Sequence, residues 1–334
     1  MMTKKKLLIS FGLLIAVLLL IFLTSLSIGY ANASFSDTLS VFFGNGSQAM
    51  NLIIFKIRLP RILAAILGGA SLALSGMLLQ TLTKNPLADS GILGINTGAG
   101  LVIAIMVAFL DSSSVNIISL MPFMAMLGGI LTIMIVYLIS RKKNHGISPT
   151  RLIITGVGVS TMLSGVMVSV ISKLNDNKTD YIVSWLSGKI TGDNWTVLAI
   201  FTPILIILWL LTYTRSQSLN IMNLNEQTAL ALGLNLQKER LISLVLSTAL
   251  ASLSVVLVGN ITFVGLVAGH VSRRLMGSDH RISLPASMLM GMILLLIADT
   301  IGRVLLIGTG IPTGLIVSII GAPYFLYLMT KVES

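Results

Sequence analysis

The 334-residue chain contains no cysteine, so no disulfide, thiolate metal site or cysteine nucleophile can form within it. Charged residues are scarce as well, at 10% of the sequence, whereas an ordinary soluble protein has about a quarter. The three histidines, His145, His270 and His280, have no carboxylates at metal-ligand spacing. These absences argue against a soluble domain of ordinary composition and leave no candidate catalytic triad or metal site.

Apolar residues are abundant instead, at 55% of the chain with a mean hydropathy of +0.97. This composition predicts an all-α polytopic membrane protein with a single transmembrane domain over residues 1–334. Residues 31–55 are predicted to form an external loop, and the aromatic-rich segment 173–194 is predicted to lie at the membrane interface. Ten spans are predicted, at about residues 7–29, 56–82, 91–110, 122–140, 152–171, 195–213, 241–258, 261–271, 284–300 and 312–329.

The net charge of +11 has a topological explanation that does not involve nucleic acid. Basic residues of membrane proteins collect in cytoplasmic loops. With ten spans and both termini cytoplasmic, 15 of the 22 basic residues fall inside and seven fall outside. The sequence therefore predicts a multi-pass protein in a lipid bilayer, with no nucleic-acid partner.

One polar stretch, residues 216–240, interrupts the apolar sequence and is predicted to be cytoplasmic. Asn223 is a predicted N-cap that forms a capping box with Glu226, and Gly233 is predicted to end the short helix that follows. A helix of about two turns is not stable alone in water. The nearly apolar residues 228–232 therefore need a surface, which is either the chain's own membrane ends or a separate cytoplasmic subunit.

Three arginines are predicted at the external mouth, where the topology rule does not place basic residues. Arg58 and Arg61 either extend to the membrane interface or, together with Arg303, form a rim that receives acidic groups of a soluble partner. Asp299 lies one helical turn before Arg303, which predicts a structural ion pair. Because almost no other charge falls within a span, an ion-coupled secondary transporter or a membrane-embedded enzyme is disfavoured.

Several motifs, in order along nearly the whole chain, resemble the permease subunits of the iron-siderophore and vitamin B12 class of ABC importers, the FecCD type. They are Arg-Leu-Pro-Arg (58–61), Leu-Ser-Gly-Met-Leu-Leu-Gln (74–80), Asn-Pro-Leu-Ala-Asp (85–89), Gly-Ile-Leu-Gly-Ile (91–95), Ala-Leu-Ala-Leu-Gly (229–233), Phe-Val-Gly-Leu (263–266), Gly-Ser-Asp-His-Arg (277–281), Asp299-Thr300 with Arg303, Ile-Pro-Thr-Gly (311–314) and Gly-Ala-Pro-Tyr-Phe (321–325).

The resemblance implies the type II ABC importer permease fold, with ten helices and a translocation path between two permease subunits, identical or paralogous. It implies two ATP-binding subunits, an extracytoplasmic substrate-binding protein and a bacterial inner or cytoplasmic membrane location. The chain itself is expected to have no catalytic residue, no metal and no cofactor. The cargo implied is an iron(III)-siderophore of the hydroxamate type, with cobalamin and haem as alternatives.

The resemblance also assigns roles at matching positions. The arginines that dock the binding protein are Arg58, Arg61 and Arg303. The cytoplasmic gate is Asn85, Pro86 and Leu87. The residues that couple to the ATPase are Glu226, Thr228, Ala229, Leu230, Leu232 and Gly233, which favours the separate subunit as the surface for the short helix.

Overall fold

A computed structural model describes residues 4–28, 35–110, 115–142, 146–190, 194–305 and 311–332. This part of the chain is helical apart from turns and one antiparallel pair of two-residue strands, β1 (Arg141–Lys142) and β2 (Gly146–Ile147). His145 and residues 111–114, between the third and fourth predicted spans, lie outside it. The helices are α1 (Lys4–Ser27), α2 (Phe35–Phe42), α3 (Gln48–Leu52), α4 (Leu59–Thr83), α5 (Ile95–Phe109), α6 (Val115–Ser140), α7 (Pro149–Ile171), α8 (Asp176–Leu186), α9 (Trp195–Thr214), α10 (Ser216–Met222), α11 (Glu226–Ala231), α12 (Leu236–Val258), α13 (Val264–Met276), α14 (His280–Leu305) and α15 (Thr313–Val332).

Eight of the described helices are long and apolar enough to cross a membrane, judged by length and composition. The remaining two predicted spans correspond to α5, of 15 residues, and α13, of 13 residues. At 1.5 Å per residue these two helices are about 20 Å long, shorter than the ~30 Å hydrocarbon core of a bilayer. The predicted all-α polytopic fold is confirmed, whereas ten complete crossings remain a prediction.

Helix α4 lies at the centre and packs against α12, α13 and α14. Its small residues allow this close approach, because a Cβ atom placed on Gly76 would lie 2.5 Å from the Cα atom of Gly265 in α13. Nearly all of α4 is buried as a result, whereas α1 and α7 leave most of their residues exposed in the isolated chain.

The predicted external loop at 31–55 is not a continuous loop over its described residues. It contains α2 and α3, and α3 continues through a π-helical turn (Ile53–Arg58) into α4, so that one helical segment covers 48–83. Ser47 starts α3 because its hydroxyl oxygen accepts a hydrogen bond from the backbone N–H of Met50, at 3.2 Å. The second span therefore begins earlier than the basic motif at 56–61 suggests.

The predicted interfacial segment at 173–194 contains a helix, α8, which Asn175 caps through a 3.1 Å hydrogen bond from the backbone N–H of Lys178. Trp185 does not face the surface of the chain. It is buried in a cluster with Ala99 and Ile103 of α5, because α8 folds back against that helix. Tyr181 and Trp195 do remain exposed.

Candidate functional site

The polar stretch folds into two short helices, α10 and α11, joined by a turn. The N-cap of α11 is Asn225, whose side-chain oxygen accepts a 2.7 Å hydrogen bond from the backbone N–H of Thr228. The prediction that Asn223 caps this helix in a box with Glu226 is wrong. Asn223 instead ends α10, its backbone N–H bonded to the carbonyl of Leu219.

The predicted end of α11 at Gly233 is confirmed. Gly233 has a φ of +80°, a left-handed conformation that glycine adopts at little cost. Its N–H donates to the carbonyl of Leu230 at 2.9 Å, and the N–H of Leu234 donates to the carbonyl of Ala229 at 3.1 Å. This pair of bonds is a Schellman motif, which satisfies carbonyls that the end of a helix leaves unpaired.

Helix α11 has one buried position and an exposed apolar face. Ala229 is fully buried within the main hydrophobic core, so the helix does pack onto its own chain. Leu230 and Leu232 are each 59% exposed, and Leu224 in the preceding turn is 43% exposed. These three leucines are called the coupling face below. Three large exposed apolar side chains within nine residues of an otherwise polar stretch are consistent with a surface that another protein covers.

Arg240 fastens this short helix to α12. Its guanidinium is buried and donates hydrogen bonds to a carboxylate oxygen of Glu226 and, at 3.2 Å, to the carbonyl of Ile147 in β2. The hydrogen bond from Arg240 lowers the pKa of Glu226, which is otherwise largely exposed. Glu226 therefore holds α11 in position against the body of the chain and stays ionised at neutral pH.

The predicted gate residues form the turn that follows α4, called the gate turn (85–87). The side-chain oxygen of Asn85 accepts a 2.9 Å hydrogen bond from the backbone N–H of Leu87, while Pro86 is exposed. Leu87 packs with an apolar cluster from α13 and α15. A cavity of about 280 Å³ adjoins the turn, lined by Asn85, Leu87, Ala88, Asp89, Ile92, Leu93, Ile153, Val157 and Phe325.

Two neighbouring side chains connect the gate turn to other elements. Lys84 has a φ of +51° and donates a 2.6 Å hydrogen bond through Nζ to the carbonyl of Leu224, which belongs to the coupling face. Asp89 is buried and accepts a 3.3 Å hydrogen bond from the backbone N–H of Phe263, at the start of α13. Sequence reasoning missed both contacts, because each partner lies more than a hundred residues away in the chain.

Two of the three predicted docking arginines contact the carboxyl end of α1. Arg58 donates to the carbonyl of Leu26 at 2.5 Å and is only 4% exposed. Arg303 donates to the carbonyl and the hydroxyl of Ser25, at 3.3 and 2.5 Å. Both arginines thus satisfy carbonyls in the last turn of α1, which have no partner within the helix.

Asp299 is fully buried between two of these arginines. Its Oδ2 lies 3.0 Å from Nε of Arg303, which confirms the predicted pair, and its Oδ1 accepts from Nε of Arg61 at 2.9 Å and from Thr313 at 3.1 Å. Among the described residues Arg61 bonds through Nε alone, and its side chain is 22% exposed, the most accessible of the three arginines. It is therefore the arginine best able to receive an external carboxylate.

Eight apolar helices long enough to cross a membrane, in a bundle packed around α4, define the class as a polytopic membrane protein. The chain belongs to the FecCD transport family, whose sequence profile matches residues 17–331. It is 38% identical to the iron(3+)-hydroxamate import system permease protein FhuG of Bacillus subtilis, over 94% of each chain. It is 33% identical to the hemin transport system permease protein HmuU of Yersinia pestis, over 96% of this chain and 95% of that protein.

A solved structure has the same architecture. It is described as an inward-facing conformation of a metal-chelate type ABC transporter, and the two chains match with a TM-score of 0.80 and 31% sequence identity. The match covers 98% of this chain and 99% of the other. The permease fold expected from the motifs is confirmed over nearly the whole chain.

Proposed function

We propose that the chain is the permease subunit of an ATP-driven importer for iron(III) chelates. With a second permease subunit, identical or paralogous, it forms the translocation path, while two ATP-binding subunits hydrolyse ATP and an extracytoplasmic protein delivers the chelate. One observation carries the proposal: α11 is fixed to its own chain by Ala229 and Arg240, yet leaves Leu230 and Leu232 largely exposed. The chain has no G-x-x-x-x-G-K-[ST] loop, so the nucleotide is expected to bind to a partner.

A hydroxamate-type siderophore is the proposed cargo, in line with the similarity to the hydroxamate permease. Haem is the alternative, in line with the similarity to the hemin permease. A secondary transporter would need unpaired titratable groups within the membrane. The buried Asp299 does not provide one, because two arginines neutralise it.

The cargo can be identified by transport in proteoliposomes that hold the chain with its ATP-binding subunits, in the presence of its binding protein. Uptake of a ferric hydroxamate is expected to exceed that of ferric citrate, a ferric catecholate, haem or cobalamin by at least about tenfold, which is ~1.4 kcal/mol of discrimination. Uptake without ATP that follows an imposed ion gradient would contradict the ATP-driven mechanism, and faster haem uptake would replace the hydroxamate.

Docking of the binding protein tests the role of Arg61. Because its Nε already bonds Asp299, the opposite edge of the guanidinium is available to a partner carboxylate. Arg61→Gln is expected to weaken docking about 10- to 150-fold, as the loss of a charged hydrogen bond of ~1.5–3 kcal/mol predicts.

The measurement is the dissociation constant of the binding protein on the immobilised permease, at low and high salt. Lys56→Gln is the matched control, since Lys56 is exposed on the same stretch. An Arg61→Gln variant with unchanged affinity and unchanged salt dependence would remove Arg61 from the docking surface.

A further inference from the structure

His280 is a buried side chain that links three elements. It begins α14, and its Nδ1 lies 2.8 Å from the side-chain oxygen of Asn220 in α10, which also accepts the backbone N–H of His280 at 2.9 Å. Its Nε2 lies 2.8 Å from the hydroxyl oxygen of Thr81 in the last turn of α4. One imidazole ring therefore connects the polar stretch to the helix that ends at the gate turn.

The direction of these hydrogen bonds follows from the amide of Asn220. Its Nδ2 donates to a carboxylate oxygen of Asp279 at 2.7 Å, so its Oδ1 is the acceptor towards His280. Nδ1 of the imidazole must therefore carry a proton. The one hydroxyl proton of Thr81 is shared between two acceptors, Nε2 of the neutral ring at 2.8 Å and the carbonyl oxygen of Met77 at 2.9 Å. The bond from Asn220 also lowers the pKa of Asp279, which stays a carboxylate and keeps the amide oriented.

The polar stretch and the end of α4 also contact each other at a second point. Lys84, which immediately precedes the gate turn, donates to the carbonyl of Leu224 in the coupling face. The polar stretch is thus attached to the end of α4 at two points that both precede the gate turn, at Thr81 through His280 and at Lys84 directly. These contacts connect the polar stretch directly to the end of α4, next to the gate turn.

We propose that His280 is a positioning residue that transmits the displacement of the coupling segment to the gate turn, through Asn220 on one side and Thr81 on the other. The proposal rests on the proposed function, because it requires that a partner moves the coupling face. Transmission requires both contacts of the ring, because one joins it to α10 and the other joins it to α4.

Two substitutions at the same position separate the two contacts. In His280→Asn the amide nitrogen takes the place of Nδ1 and keeps the bond to Asn220, but the side chain is too short to reach Thr81. In His280→Gln the amide reaches Thr81 but loses the bond to Asn220. Thr81→Val removes only the hydroxyl, and Thr81→Ser retains it.

The matched control is Ser283→Ala, about one turn along α14. Ser283 is also fully buried, and its hydroxyl has no hydrogen-bond partner among the described residues. The measurement is the number of chelate molecules imported per ATP hydrolysed, in proteoliposomes that hold the complete transporter, together with its thermal unfolding temperature.

His280→Asn, His280→Gln and Thr81→Val are each expected to lower the import-to-hydrolysis ratio at least about fivefold, the lower end of coupling between distinct sites, while ATP hydrolysis continues. Thr81→Ser and Ser283→Ala should keep the ratio of the unmodified protein. An unchanged ratio in the first three variants would overturn the proposal, as would a parallel loss of hydrolysis, import and thermal stability. An unmodified transporter that hydrolyses ATP without importing any chelate would overturn the proposed function instead, and this inference with it.

Discussion

Aspartate in place of both Leu230 and Leu232 is expected to prevent the ATP-binding subunits from assembling with the permease and to reduce chelate import to background. Both side chains are largely exposed on the coupling face. Each leucine buried in a partner's groove contributes about 1.5–3 kcal/mol, so that losing two weakens association about 10²- to 10⁴-fold. The introduced carboxylates add a desolvation cost that the groove does not offset.

The chain itself should fold as before, because neither leucine supports its own core. The measurement is the amount of ATP-binding subunit that co-purifies with the permease, together with import by the reconstituted complex. Gln237→Asp is the matched control, as it adds a carboxylate at an exposed position in the first turn of α12. A Leu230→Asp/Leu232→Asp variant that retains both its partner and its import would exclude α11 as the coupling helix.

Local signals in the sequence predicted the end of α11 but not its beginning. Gly233 was identifiable because only a few residue types adopt a positive φ at the end of a helix. Two asparagines compete for the N-cap, and the choice of Asn225 depends on where the preceding helix ends. Asn223 is a good cap by type, but α10 extends to Met222 and its last turn includes Asn223.

The contacts of the candidate site that could not be predicted are those between residues that lie far apart in the sequence. The ion pair between Asp299 and Arg303 spans one helical turn and was predicted from spacing alone. The second partner of Asp299, Arg61, lies 238 residues away, and its role follows only from the packing of α4 against α14. The same holds for Thr81 and His280, which are 199 residues apart. The motif resemblance includes His280 but not Thr81, and it gave no contact between them.

The close packing of α4 against α14 depends on two glycines. A larger residue at one of them is therefore expected to have a large effect on the stability of the chain. A Cβ atom on Gly69 would overlap the backbone carbonyl of Gly291, and one on Gly291 would overlap that of Gly69. Neither helix can move its backbone as a flexible side chain would move. Gly291→Ala is expected to cost about 1–3 kcal/mol by forcing the helices apart, and Gly291→Leu is expected to prevent folding.

Forcing α4 and α14 apart would also affect function, because the ends of these two helices carry the proposed coupling residues. Helix α4 ends at the gate turn, and α14 begins at His280. The test is the thermal unfolding temperature and the monodisperse yield of the purified chain. Gly12→Leu is the control, since a Cβ atom at Gly12 in α1 meets no atom within 4 Å. A Gly291→Leu variant that folds with normal yield would mean that α4 and α14 separate freely, and a rigid connection between the coupling face and the gate turn would then be excluded.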